Sequence, residues 1–188
     1  MTITGPAITR LILLGFVASL LQLTSASQVS IFGVPMDLSP LIVASVGFLA
    51  GSVPGMIFGF CFGLFADTAL MQTLGVTSLV LTVIGYGAGR IRELRDPAHG
   101  LAPVAVGAAA TAVAALSLTL LQFLLGVEAP VSGQIVRQIL MTIVINTLLA
   151  LPVYAICRRV LLPFLPDDPR RRRRRAYTTG GLSPLSRA

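Results

Sequence analysis

The chain has no tryptophan, no lysine, one histidine and two cysteines among its 188 residues, and only 11% of it is charged. Each shortage removes a class of function. The lone histidine, His99, sits beside Pro97 and Gly100 with no second His, Cys or carboxylate at metal-ligand spacing. Cys61 and Cys157 lie in or at the end of apolar runs, where a thiol behaves as a small hydrophobe, so neither a disulfide nor a metal is assigned. Hydrolysis would need paired intramembrane carboxylates or a serine with a nearby base, and neither pattern is present. Gly85, Gly87 and Gly89 look superficially like a phosphate loop, but no strand precedes them and no lysine follows. The chain therefore reads as non-enzymatic and without a cofactor. With no tryptophan, the interfacial belt falls to Tyr86, Tyr154 and arginine.

What is abundant is apolar surface. Hydrophobic residues make up 55% of the chain and the mean hydropathy is +0.88, far outside ordinary globular composition, so the sequence describes an all-α polytopic membrane protein. Its organising stretch is 47–67, where Gly47, Gly51, Gly55, Gly59 and Gly63 recur every four residues and Asp67 falls at the next step. A spacing of four keeps positions on nearly one helix face. After Pro54, therefore, Gly55, Gly59 and Gly63 leave a side without side chains, on which a helix can pack closely in lipid.

The apolar runs divide into six spans: residues 10–23, 40–52, 54–71, 75–89, 101–125 and 134–156. A cleavable signal peptide is the rival reading of the first; five further spans favour a retained anchor. Residues 41–67 hold too much apolar chain for one upright helix, since about twenty residues cross a ~30 Å core. The Pro54 and Gly55 pair predicts a tight hairpin of two short or partly re-entrant helices, with Ser39 and Pro40 opening the first. One kinked helix there, giving five spans in all, is the alternative. Span five carries a second small-residue surface, Gly107 through Ala115, expected to lie against the glycine face.

Arginine in short loops sets orientation. Six spans with the N-terminus inside put Arg10, Arg90, Arg92, Arg95, Arg158 and Arg159 in the cytoplasm and Arg137 toward the outside, as are Asp37, Asp67 and Glu128. The predicted division is a membrane domain over 1–165 and a disordered cytoplasmic tail over 166–188, whose Pro and Gly content argues against folding. Within the tail, Arg170, Arg171, Arg172, Arg173, Arg174 and Arg175 suit anionic lipid, each worth up to about 1 kcal/mol near the surface; a plain orientation anchor is the simpler role. No folded reader accompanies the charge, so nucleic acid is not a partner.

Asp67 is the most informative single residue, because an ionisable group inside a span is by default a functional hypothesis. Either it caps the end of span three, or it pairs with a polar group across a helix interface, Arg137 being the internal candidate. The glycine face likewise serves packing within the subunit or docking of a partner helix. Asn146, Gln22 and Gln122 either line a small-molecule cavity or make single interhelical hydrogen bonds, the commoner case.

Pro35, Asp37 and Leu38, then Gly59, Phe60, Gly63, Leu64 and Asp67, then Gly75 and Leu79, and finally Gly85, Tyr86 and Gly89 form an order and spacing that resembles the MreD family of rod shape-determining proteins. The likeness covers about residues 10–95; spans five and six match only as hydrophobic helices. It implies a non-enzymatic scaffold in the bacterial inner membrane that joins an MreC-like protein, MreB and cell-wall synthases. It also implies six helices similar to the substrate-binding subunit of energy-coupling-factor vitamin transporters, and such a solute-binding subunit is the alternative function. The arginine tail departs from the family pattern. Candidate partner-binding or helix-packing residues are Asp37, Gly55, Gly59, Gly63, Asp67, Gly75, Gly85, Tyr86 and Arg137.

Overall fold

The computed structural model describes residues 9, 11–20, 30–31, 34–35, 37–94, 102–126 and 133–161. Among the described residues there are six helices: α1 (Leu11–Leu20), α2 (Ser39–Ala50), α3 (Ser52–Ala69), α4 (Val76–Leu94), α5 (Ala102–Leu124) and α6 (Gly133–Leu161). Three of them, α3, α5 and the Ile139–Leu161 part of α6, are long and apolar enough to cross a membrane. Ahead of α2, two-residue strands β1 (Ser30–Ile31) and β2 (Val34–Pro35) pair antiparallel, with Ser30 opposite Pro35 and Ile31 opposite Val34.

The centre of the molecule is α2. All of its twelve residues are buried, and α3, α4, α5 and α6 surround it. A helix apolar on every side belongs in an interior, and α2 offers no polar stripe: the Ser45 hydroxyl returns to the Leu41 carbonyl of its own helix at 2.8 Å. At 12 residues it is about 18 Å long, well short of a bilayer core.

The chain breaks between α2 and α3 at Gly51, three residues before the expected Pro54–Gly55 pair. Gly51 has φ 107° and ψ 178°, a conformation a side chain would strain. Pro54 lies instead in the first turn of α3, where the missing N–H has no helical acceptor and the ring costs little.

The glycine row of α3 meets α4, not α5. A methyl group added at Gly55 would run into the Gly85 carbonyl, at Gly59 into the Leu81 carbonyl, and at Gly63 into the Ser78 backbone; from the other side, Gly85 faces the Gly55 carbonyl and Gly89 faces Ser52. The paired numbers rise on one helix as they fall on the other, so the helices run antiparallel with their backbones touching. Gly47 of α2 joins the same contact through Gly85 and Gly55. Such proximity multiplies dispersion contacts, which in lipid do the work hydrophobic burial does in water.

The expected partner, α5, packs on α2, α4 and α6. Its buried positions Gly107, Ala110, Thr111 and Ala114 follow the three-and-four spacing of one helix face. There, Gly107 lies against Leu41 of α2 and Ala150 of α6. Long apolar side chains of α1, α5 and α6 point outward: Phe16, Leu116, Leu120, Leu140 and Leu148 are all more than half exposed.

Candidate functional site

At each end of the α3–α4 pair a carboxylate from one helix reads the start of the other. At the first end, Asp67 from the last turn of α3 accepts the Gly75 N–H on Oδ2 at 2.8 Å, with the Ser78 N–H more distant at 3.4 Å. These are among the N–H groups a helix start leaves without an intrahelical acceptor, and the positive end of the α4 dipole favours the negative charge. Gly75 adopts φ 92°, a turn conformation that glycine reaches without strain. Asp67 is only 1% exposed, and its Oδ1 has no hydrogen-bond donor.

At the opposite end Glu93, in the last turn of α4, accepts the Ser52 N–H at 3.0 Å and the Ser52 hydroxyl at 2.7 Å. An acid in the last turn opposes the dipole of its own helix, so its placement makes sense as a cap for α3. These two hydrogen bonds, backbone first, hold the Glu93 carboxyl below its ordinary value, with a smaller contribution from Arg90, its partner at 3.2 Å. The neighbouring Arg92 donates to the Leu49 carbonyl near the end of α2. Adjacent residues of opposite charge thus grip the two sides of the Gly51 break, Arg92 on the carbonyl side and Glu93 on the N–H side.

A third polar cluster ties α6 to the start of α2. Asn146, 1% exposed, donates through Nδ2 to the Asp37 carbonyl at 2.8 Å and to the Thr111 hydroxyl at 3.3 Å. Thr111 in turn donates to the Gly107 carbonyl at 2.9 Å. The Asp37 carboxylate accepts the Ser39 N–H at 3.0 Å, an Asx-type turn leading into α2. The Asn146 bonds join α6 to α5 and to the start of α2, while the Thr111 and Asp37 bonds close local turns.

The predicted site residues therefore separate into groups. Gly55, Gly59, Gly63 and Gly85 are spent on the contact of α3 with α4, Asp67 and Gly75 on the turn between them, and Asp37 on the entry to α2. Tyr86 is 45% exposed on α4, and Arg137 is exposed near the start of α6. The expected pairing of Asp67 with Arg137 does not form. Asp67 lies buried against backbone N–H groups instead. Arg170 to Arg175, His99, Gln22 and the 166–188 boundary lie outside the described residues. Sequence reasoning missed Arg92 and Glu93; the clue available was an acid at the wrong end of its own helix.

Among the described residues no group of three His, Cys, Asp or Glu side chains is placed to hold a metal. No curated protein and no solved structure matches the chain. A protein-family model does, that of rod shape-determining protein MreD, over residues 3–160. The match reaches from before α1 to the last turn of α6 and so takes in both carboxylate caps and the Asn146 cluster. The chain belongs to the MreD family of rod shape-determining proteins.

Proposed function

We propose that the protein is a non-enzymatic scaffold of the lateral wall-synthesis complex, holding an MreC-like protein, MreB and cell-wall synthases together at the inner membrane. Membership of the family supports a role in determining rod shape, and the family is not known for enzymes. The observation that carries the scaffold reading is the inward use of the glycines and of the Asp37, Asn146 and Thr111 polar groups. With those committed inside, docking falls to the outward apolar faces of the helices, Phe60 of α3 and Leu79 of α4 as well as those of α1, α5 and α6, and to Tyr86 and Arg137. The same commitment weighs against a solute-binding transporter subunit, which needs polar groups facing a cavity.

Orientation follows from charge. Arg90 and Arg92 close α4 and Arg158 and Arg159 close α6, which favours a cytoplasmic end there by the positive-inside bias. Arg137 stands 21 residues before Arg158 on α6, about 31 Å along the helix. That spacing supports placing the two arginines at opposite faces of a ~30 Å core. The tail arginines would then lie on the inner leaflet.

Co-purification from gently solubilised native membranes through a C-terminal tag tests the reading. Recovery of MreC-like and wall-synthase proteins is expected; recovery of an ATPase module with a membrane coupling subunit overturns it.

A further inference from the structure

From Thr68 to Gly89 the chain has no charged residue, and Arg90 ends that run on α4. The start of α3 shares the level of Gly89 and Arg90, because Gly89 packs on Ser52 and Glu93 accepts the Ser52 N–H. Two helices then measure nearly the same height from that level. Ser52 and Asp67 stand 15 residues apart on α3, about 22 Å. Gly89 and Val76 stand 13 apart on α4, about 20 Å. Both fall short of the ~30 Å of a hydrocarbon core. By contrast α5, with 23 residues, is about 34 Å long, and Arg137 and Arg158 on α6 are about 31 Å apart.

The turn that joins α3 to α4 is apolar outside and hydrogen-bonded inside. Leu70, Met71 and Leu74 are exposed, Met71 almost wholly at 95%, although Met71 holds φ 50°, a left-handed conformation that costs a residue with a side chain. Within the turn, Leu70 donates its N–H to the Ala66 carbonyl at 2.9 Å, Gln72 to the Asp67 carbonyl at 2.9 Å and Val76 to the Thr73 carbonyl at 3.3 Å. The Asp67 carboxylate takes the Gly75 N–H, and the Thr68 hydroxyl turns back to the Leu64 and Phe65 carbonyls. Much of its polarity is thus spent inward while three apolar side chains stand bare. Gln72 and Thr73 are its exposed polar residues at the tip.

We propose that the α3–α4 turn is a lipid-contact surface that draws the leaflet opposite the arginines inward. Leu70, Met71 and Leu74 seat in its acyl chains, Gln72 and Thr73 stand at headgroup level, and the hydrocarbon beside α3 and α4 thins to the height of the turn. The proposal rests on the membrane orientation given above. Irregular backbone facing lipid is not found within hydrocarbon, so the turn sets how far the hydrocarbon reaches beside it. A bilayer accommodates a short apolar unit by thinning, at modest cost. The bare apolar side chains select acyl chains over an aqueous hollow, since each would cost free energy in water in proportion to its area. No charged residue lies between Thr68 and Gly89 to set the register of a protein partner.

The test uses the full chain in vesicles of phosphatidylethanolamine and phosphatidylglycerol, with Cys61→Ala and Cys157→Ala removing the natural thiols. A nitroxide is attached to Met71→Cys, Leu74→Cys or Gln72→Cys, and to Arg137→Cys and Arg158→Cys as references for the two aqueous faces; each protein must elute monodisperse. Depth is read from collisions with oxygen, which concentrates in acyl chains, and with a nickel chelate, which stays in water. The labels at Met71 and Leu74 are expected to relax with oxygen and to lose the nickel effect that the two reference labels show, while the label at Gln72 keeps it. Nickel access at Met71 and Leu74 equal to that at Arg137 overturns the proposal. So does loss of nickel access at Gln72, which would mean a submerged turn and an unthinned leaflet. Dipolar broadening between labels on two copies also overturns it, by placing a second chain over the turn. A label at Arg158 hidden from nickel overturns the orientation together with the proposal. None of these outcomes touches the scaffold reading, which is judged by the proteins recovered through the tag.

Discussion

Between α3 and α4 the helices meet backbone to backbone, whereas α5 and α6 meet through small side chains and one buried amide. The first contact is sealed along its length by Gly55, Gly59 and Gly63 against Ser78, Leu81 and Gly85. It tolerates no added atom, because the neighbouring atoms are main chain and cannot swing aside. The second contact has the Gly107–Ala150 approach and the Asn146–Thr111 hydrogen bond, with flexible neighbours that can adjust. Backbone contact leaves the α3–α4 pair no room to repack, whereas α5 and α6, held through side chains, can adjust.

Substitutions can break this comparison in graded steps. Gly59→Leu has the largest expected effect: the side chain has nowhere to go except through the Leu81 carbonyl, so α4 must separate and no monodisperse protein should be recovered by size-exclusion chromatography. A folded Gly59→Leu protein that merely lost its partners would show that the row is a docking face after all. Next comes Asn146→Ala, which strips the part-buried Asp37 carbonyl and the buried Thr111 hydroxyl of the Asn146 amide donor and should lower stability by about 1–3 kcal/mol, read as an earlier thermal midpoint. Gly107→Ala, on the looser contact, displaces only the tip of Leu41 and presses on a methyl of Ala150; a loss of about 1 kcal/mol is expected, at the low end for overpacking. Equal damage from Gly107→Ala and Gly59→Ala would erase the distinction between the two contacts.

The caps sharpen the picture at the ends. Asp67→Ala should cost roughly 0.5–2 kcal/mol, the range for losing an N-terminal helix cap. Adding Arg137→Gln should change stability by the same amount in the presence and absence of Asp67, within about 0.5 kcal/mol. A larger coupling would restore the ion pair that the structure does not form. Glu93→Gln has the smallest expected effect, because its side chain is 40% exposed and solvent screens it. Its pH dependence has a definite sign. Since the folded carboxyl titrates below the ordinary 4.5, its contribution is present above that value and is lost as the pH falls through the lowered one. The difference in thermal midpoint between the natural protein and Glu93→Gln should therefore shrink in acid; a difference that grows there would remove Glu93 as an ionised cap.

Much of this architecture was readable before the structure, and the misreadings share a cause. Spacing shows which face of a helix is bare, so the glycine row of α3 was legible; it does not show which neighbour fills the face. The neighbour, α4, presents Ser78, Leu81, Gly85 and Gly89, a three-and-four row in which only two members are glycine, while the alanines of α5 advertised themselves more loudly. Proline and glycine together suggested a turn at residues 54 and 55, but proline is at home in a first turn and the left-handed conformation fell to Gly51. Asp67 was legible as a cap or a partner, and the N–H groups that donate to it lie at the start of the next helix. Asn146 makes interhelical hydrogen bonds, as single polar residues in apolar helices commonly do. Its partners Asp37 and Thr111 lie 109 and 35 positions away, and nothing local encodes such pairings.

The short central helix also has a consequence for how the chain is made. At about 18 Å, shorter than a bilayer core, α2 emerges with both ends lacking partners that are made much later in the chain. Leu49 waits for Arg92, 43 residues later, and the Asp37 carbonyl waits for Asn146, 109 residues later. A chain cut anywhere before the middle of α6 would lack the Asn146 donor to the start of α2.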